Sequence, residues 1–472
     1  MINRRRFLRL TVVAAAPALI GPVFGAQATD RTDRVLIVGA GLAGLRAADL
    51  LRKAGRAVVV LEARPQAGGR VLTIRSPFDD GLYGEAGAIR FPAAHARVFQ
   101  LARERGLILV PFDSPNGSAS TAIGGLSVRS DEINRAAFAL NLRADERGLT
   151  AAALVERYVG DLPADMADPA ASAYSTWQAY DRHTWPEWLR SRGASAGAVR
   201  LMTLGGDSSE LSALYVLRQF ALLRKSTRFF KIRGGMDQLP RAVAASLGDM
   251  VRYNAGVVRV DQTAGRVRVD YLDRVTPKQI DGSRLIFAIP FSTLRQIDVR
   301  PAFSPQKART IQELPYFPAT RFLLQSRSRF WQESGLNGAA RTDRPAEIWD
   351  CTYDVPGTRG LLGATVGGAV GRALVDMGAD ECLKFGADVV ADAFPKMRLN
   401  FEKGVAYRWA AERWSRGAFA VFRPGQMALM MPEIARPEGR VHFAGEHTSS
   451  WMGWMEGALE SGERAAREVM GA

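Results

Sequence analysis

Only two cysteines, Cys351 and Cys382, occur in 472 residues. That excludes a disulfide framework and a multi-cysteine zinc or iron–sulfur centre, and leaves a single bridge open. The four histidines, His95, His183, His442 and His447, include no pair at i, i+4 spacing, which excludes a histidine-rich metal site. A basic stripe is missing too. Lys+Arg outnumber Asp+Glu by 63 to 48, for a net charge of +15, but the one triple run is Arg4 to Arg6. The other arginines are scattered among acids, which describes a positive solvated surface and not a nucleic-acid face. Past residue 28 no apolar run reaches the roughly 20 residues a membrane helix needs. The chemistry has to come from elsewhere.

What is present is ordinary globular composition, 47% hydrophobic with 46 Gly and 23 Pro spread along the length. The length points to two or more interleaved domains. Residues 1–28 read as a targeting segment: Arg4-Arg5-Arg6-Phe7-Leu8-Arg9, an apolar run from Leu10 to Phe24, then Ala26-Gln27-Ala28. This resembles a twin-arginine export signal, and the expected location is periplasmic or secreted. Pro17, Gly21 and Pro22 interrupt the run, so no membrane anchor is expected. The segment holds four arginines and no acid, which leaves +11 on the remainder. The twin-arginine machinery exports folded proteins, a route that suits a protein carrying a tightly held organic cofactor.

Arg34 to Val38 forms a short apolar strand, followed at once by Gly39-Ala40-Gly41-Leu42-Ala43-Gly44 and a helical stretch from Leu45 to Ala54. Gly39 permits the tight turn, Gly41 lets the backbone approach a pyrophosphate at the helix N-terminus, and Gly44 lets helix and strand pack closely. A second strand, Ala57 to Leu61, ends at Glu62, where an acid accepts hydrogen bonds from adenosine ribose hydroxyls. The fingerprint alone does not choose between NAD and FAD.

Ala63, Arg64 and then Gly68-Gly69-Arg70 follow the ribose acid. With Gly234-Gly235-Met236, the strand pair at Val257 and Val258, Leu285 to Pro290, and Phe443 to Val469, the chain resembles the flavin amine oxidase family over nearly its whole length past the signal. That family includes monoamine oxidase, polyamine oxidase and L-amino-acid oxidase. The resemblance implies noncovalent FAD on Gly39, Gly41, Leu42, Ala43, Gly44, Glu62, Ala63, Arg64, Gly68, Gly69 and Arg70. It adds Gly87, Ala88, Ile89, Arg90, Val257, Val258, Trp414, Gly445, Glu446, Trp454, Met455 and Ala458. The helix opening at Met455 offers a backbone N–H and its positive dipole to the flavin edge that gains charge on reduction.

The implied fold is α/β, a discontinuous Rossmann-type FAD-binding domain (residues 29–92, 232–292 and 430–472) with an α+β substrate domain (93–231 and 293–429) containing a helical subdomain. Residues 93 to 230 read as mainly helical. Runs such as 321–325 and 361–366 read as strands, and 381–394 as a helix.

On the substrate side, Gly84 to Pro92 resembles the L-amino-acid oxidase stretch whose arginine clamps a carboxylate; Arg90 takes that role, its fork matching a carboxylate in bidentate geometry. Ser415-Arg416-Gly417-Ala418-Phe419 stands where monoamine oxidases carry a flavin-linked cysteine. Ala418 cannot make that bond, and Phe419 and Trp454 fall at the two aromatic-cage positions beside the substrate amine. The family lysine near the flavin, about nine residues before a Phe-Trp pair, is replaced: Phe330-Trp331 is preceded by Arg321, with no lysine between Lys307 and Lys384. Arginine keeps the charge but hardly ever deprotonates, which puts efficient use of O₂ in doubt.

The expected activity is oxidative deamination of an L-amino acid to a 2-oxo acid and ammonia, with electrons passing to O₂ as H₂O₂ or to another acceptor. The catalytic residues are Arg321, Phe419 and Trp454, and the substrate contacts are Arg90, Phe419 and Trp454. No metal and no nucleic acid is expected, and a homodimer stays open. The rivals are an oxidase or dehydrogenase of primary or secondary amines or polyamines, and a non-catalytic FAD-binding protein. If the signal reading holds, replacing Arg4 and Arg5 by Lys will leave the protein in the cytoplasm; cell fractionation showing unchanged export will refute it.

Overall fold

Four fully apolar residues in a row, Val35–Val38, form the central strand of a five-stranded parallel sheet. Its order is Val251–Arg252, Val58–Leu61, Val35–Val38, Arg284–Phe287, Val441–Phe443. Such strands are covered on both faces, so they read as unbroken hydrophobic runs without alternation. On one face Val35 and Ile37 pack with the helices Leu42–Lys53, Gln238–Leu247 and Met455–Gly471. On the other, Leu36 and Val38 share a core with Val260, Val267 and Val269 of a four-stranded sheet, Thr276–Gly282, Arg266–Asp273, Ala255–Thr263 and Asp298–Arg300.

This computed structural model describes residues 33–471 apart from 113–116, 131, 133–139, 161, 169–173, 225, 227 and 264. Residues 1–28, read above as an expected export signal, lie outside the described residues. Among the described residues no helix is long and apolar enough to cross a membrane. Cys351 and Cys382 are both buried and free.

Two of the chain's excursions from the parallel sheet, between Val58–Leu61 and Val251–Arg252 and between Arg284–Phe287 and Val441–Phe443, together build one seven-stranded sheet. Its order is Phe401–Arg408, Thr320–Ser326, Gly360–Val366, Ala346–Asp350, Leu336–Thr342, Ser118–Ile123, Leu126–Arg129. The helix Ala379–Ala393 covers its back, burying Val389 and Val390 against Phe322, Leu324 and Ile348. The helices Ala151–Val159, Trp185–Ser191, Ala196–Met202 and Ala213–Leu223 form a separate layer. Thr150, Thr184 and Ser195 cap the first three through side-chain oxygens, and Thr184 with Glu187 completes a capping box. The helical reading of residues 93 to 230 is corrected at Leu109–Pro111, Ser118–Ile123 and Leu126–Arg129, which are strands. Ser-Ala-Ser-Thr-Ala-Ile carries no local period that marks a strand. It pairs with Leu126–Arg129 across the Gly124-Gly125 turn on one edge and with Leu336–Thr342, more than 200 residues away, on the other.

Where the first strand passes into the first helix, two glycines have no room for a side chain. Gly39 adopts φ +104°, and a Cβ there would stand 2.8 Å from Ile289 Cγ2. A Cβ on Gly44 would stand 2.0 Å from the Gly39 carbonyl oxygen. Gly44→Ala is therefore expected to cost about 1–3 kcal/mol through overpacking, measured by denaturant unfolding of the apoprotein. Gly206→Ala, where nothing lies within 4 Å of the new Cβ, should be near neutral.

Candidate active site

A cavity of about 870 Å³ opens beyond the carboxyl ends of the parallel strands. Open α/β sheets bind ligands at that edge. Gly39, Gly41, Leu42 and Ala43 line it after the first strand, Glu62, Ala63 and Arg64 after the second, and Gly445 and Glu446 after the fifth.

Glu62 is buried, and burial raises its carboxyl pKa while hydrogen bonds from the Arg64 and Ala40 backbone N–H groups (2.9 and 2.7 Å) oppose that rise. A carboxylate has about four acceptor sites, so sites remain for ribose hydroxyls. No side chain caps the helix Leu42–Lys53 at Gly41. Its first N–H groups are thus left for an anion. A Cβ on Gly41 would meet no protein atom within 4 Å, so the space beside this glycine is open. These features fit the pyrophosphate and ribose of a dinucleotide.

Arg64 donates to Gly69 O (3.0 Å), Ser415 Oγ (3.3 Å) and Glu412. Arg70 donates to Glu446 at 2.7 Å and to Ala418 O at 3.1 Å, and Glu446 also accepts from Ala420 N and Gly453 N. A β-bulge between Val257 and Arg259 leaves Val258 without a partner across the Arg266–Asp273 strand. Val258 lines the cavity, as does Trp414, whose ring the Arg413 guanidinium covers at 4.5 Å.

Gly68, Gly69, Arg70, Gly87, Ala88, Ile89, Val257, Trp454, Met455 and Ala458 complete the wall. Of the residues the sequence proposed, Gly44 alone does not line the cavity; it sits behind the turn, against Gly39 and Ala288.

Arg90, Arg321, Phe419 and Trp454 line the same cavity. The Arg90 guanidinium lies 5.1 and 5.2 Å from the ring centroids of Phe112 and Phe229 and donates through Nη2 to Glu347 at 2.8 Å. Arg321 is enclosed: it donates to Ala86 O, Gly87 O and Thr365 Oγ1 and lies 4.9 Å over Trp349. Burial lowers its pKa to about 10, so it stays charged at neutral pH. Phe419 stacks on Phe317 at 5.2 Å, and Trp454 Nε1 donates to Gln219 Oε1 at 2.9 Å.

His95 is buried edge-on to Trp451 and Trp454, and burial lowers its pKa to about 3, so it is neutral. Neither of its ring nitrogens has a hydrogen-bond partner.

Sequence reasoning missed Trp409, Arg274, Thr365 and Glu347. Trp409 lines the cavity and donates from Nε1 to Ala86 O at 2.7 Å, and its five-residue offset from Trp414 was the available signal. Arg274 and Thr365 reach the cavity through hairpin and sheet register, and nothing local marks them.

The strand–glycine turn–helix edge and its ribose acid define a dinucleotide-binding oxidoreductase. The family model for flavin containing amine oxidoreductase matches residues 42–470. The chain belongs to that family. It is 30% identical over 468 residues to an L-amino-acid oxidase of Vipera ammodytes ammodytes, covering 94% of each protein. It is 32% identical over 460 residues to an L-amino-acid oxidase of Mus musculus, covering 94% of this chain and 72% of the relative. In fold it resembles cyclohexylamine oxidase from Brevibacterium oxydans IH-35A, with TM-score 0.79 at 23% identity over 93% of this chain and 98% of that one. The protein is an FAD-dependent amine oxidoreductase.

Proposed function

We propose that the enzyme oxidatively deaminates L-amino acids to 2-oxo acids and ammonia, passing electrons to O₂ as H₂O₂ or to another acceptor, in the periplasm or outside the cell. The observation that carries this reading is Arg90, a cavity-wall guanidinium set against two phenyl rings, whose Nε and Nη1 donors have no hydrogen-bond partner among the described residues. Two L-amino-acid oxidases at 30% and 32% identity support it.

FAD, when bound, supplies the acceptor for the hydride leaving the substrate α-carbon. Everything else falls to side chains. Arg90 holds the carboxylate and so fixes which face of the α-carbon is presented. Phe419 and Trp454 exclude water and orient the neutral amine, Trp454 being held by Gln219. Arg321 places a permanent positive charge in the cavity wall, where it favours anionic species. The released imine hydrolyses in water. FAD is held noncovalently, since Ala418 offers no sulfur.

The Arg90–Glu347 contact favours a second reading, in which Arg90 is structural and the substrate is a simple amine. Anaerobic bleaching of the flavin by L-amino acids and by the corresponding decarboxylated amines separates the two. Under the amino-acid reading, Arg90→Ala lowers the rate constant for amino acids by roughly tenfold to over a hundredfold per lost charged hydrogen bond and leaves amines nearly unaffected. Equal losses for both classes refute it. Acid precipitation should release all the FAD to the supernatant, and flavin remaining with the pellet would contradict noncovalent binding.

A further inference from the structure

The register of the seven-stranded sheet places a row of polar side chains beneath Arg90. Arg321 stands opposite Thr365, Thr365 opposite Glu347, and Glu347 opposite Arg341, on four adjacent strands. Directly opposed residues share a face of the sheet, so one carboxylate lies between two guanidiniums in the row and meets a third, Arg90, above it. Burial alone would raise the Glu347 pKa, but Arg90, Arg341 and Arg321 together hold it below the ordinary carboxylate value. Arg90 leads the charges that offset burial, and Arg341 and Arg321 add to it.

Arg90 lines the cavity and Glu347 does not. The carboxylate thus takes one nitrogen of the fork from the sheet side, while two phenyl rings pack against the guanidinium. A ligand carboxylate arriving from the cavity meets donors already aimed. As it binds, Arg90 shifts its charge toward the ligand, and Arg321 and Arg341 keep Glu347 compensated. As the ligand leaves, Glu347 is in place to take Arg90 back. We infer that Glu347 is a positioning residue: it aims the Arg90 fork and competes with the ligand carboxylate, which speeds departure of the 2-oxo acid product. This inference rests on the proposed amino-acid reading.

The test uses FAD-loaded Glu347→Gln and Glu347→Ala with three probes: the carboxylates hexanoate and 3-phenylpropanoate, titrated by the flavin absorption change; L-phenylalanine; and 2-phenylethylamine. Gln keeps the volume and an acceptor oxygen for Arg90 but removes the competing charge. Carboxylate binding should tighten about three- to tenfold, with KM for L-phenylalanine falling and kcat falling with it as product release slows. Ala removes the aim as well as the charge, so carboxylate binding should be weaker than in the Gln variant, with kcat/KM for L-phenylalanine reduced. For 2-phenylethylamine both variants should match the unmodified enzyme.

Weaker carboxylate binding in Gln, identical behaviour of Gln and Ala, or parallel changes for the amine would overturn the inference and leave Glu347 a structural ion-pair partner. Arg90→Ala separates this failure from that of the underlying reading. If it binds the carboxylates as the unmodified enzyme does, the clamp itself is wrong and the inference falls with it. If it loses them while Glu347→Gln changes nothing, only the role of Glu347 is wrong.

Discussion

The contact between Arg70 and Glu446, 2.7 Å long and largely shielded from water, closes the centre of the molecule. It joins the loop after the second parallel strand to the turn after the fifth, and through it Ala418, Ala420 and Gly453 are held by the same two side chains. A buried charge with its partner removed costs about 3–5 kcal/mol, so the two turns are bound to one relative position. The aromatic wall follows from that position, since Phe419 lies between Ala418 and Ala420, and Trp454 follows Gly453. Where the glycine-turn edge of the cavity sits and where its aromatic wall sits are one decision in this fold.

Charge is distributed along the cavity with a purpose that composition does not reveal. A surplus of arginine over the whole chain describes only a positive surface. In the cavity wall, by contrast, Arg64 and Arg70 are bound to acids, Arg321 is bound to carbonyls and a hydroxyl, and Arg90 has one acid and open donors. The guanidiniums with committed partners shape the site, whereas Arg90 retains capacity for a ligand. The neutral His95 packed against Trp451 and Trp454 contributes aromatic surface and carries no charge to the cavity wall that Trp454 lines.

Local pattern determined the dinucleotide half. The turn Gly39 to Gly44 and the acid Glu62 lie within one strand–helix–strand unit. Their chemistry is written in consecutive residues, because φ +104° at Gly39 and the close approach at Gly44 admit no other residue type without strain. The apolar runs Val35–Val38 and Val58–Leu61 likewise announce strands buried on both faces. The substrate half was legible only through family resemblance, which located Arg90, Arg321, Phe419 and Trp454 but not what surrounds them.

Tertiary structure alone decided the rest. Ser118–Ile123 pairs locally with Leu126–Arg129, but it joins the seven-stranded sheet because Leu336–Thr342, more than 200 residues distant, takes its other edge. Val258 faces the cavity because one extra residue in its strand slips the register. Glu347 reads in the sequence as one acid among 48 Asp and Glu. It gains its place from the alignment of four strands that set Arg321, Thr365, Glu347 and Arg341 side by side, and from the loop that brings Arg90 over them. Sequence specifies contacts between near neighbours through backbone geometry and periodicity. Which distant side chains meet depends on how separate sheets register and pack, and no local pattern encodes it.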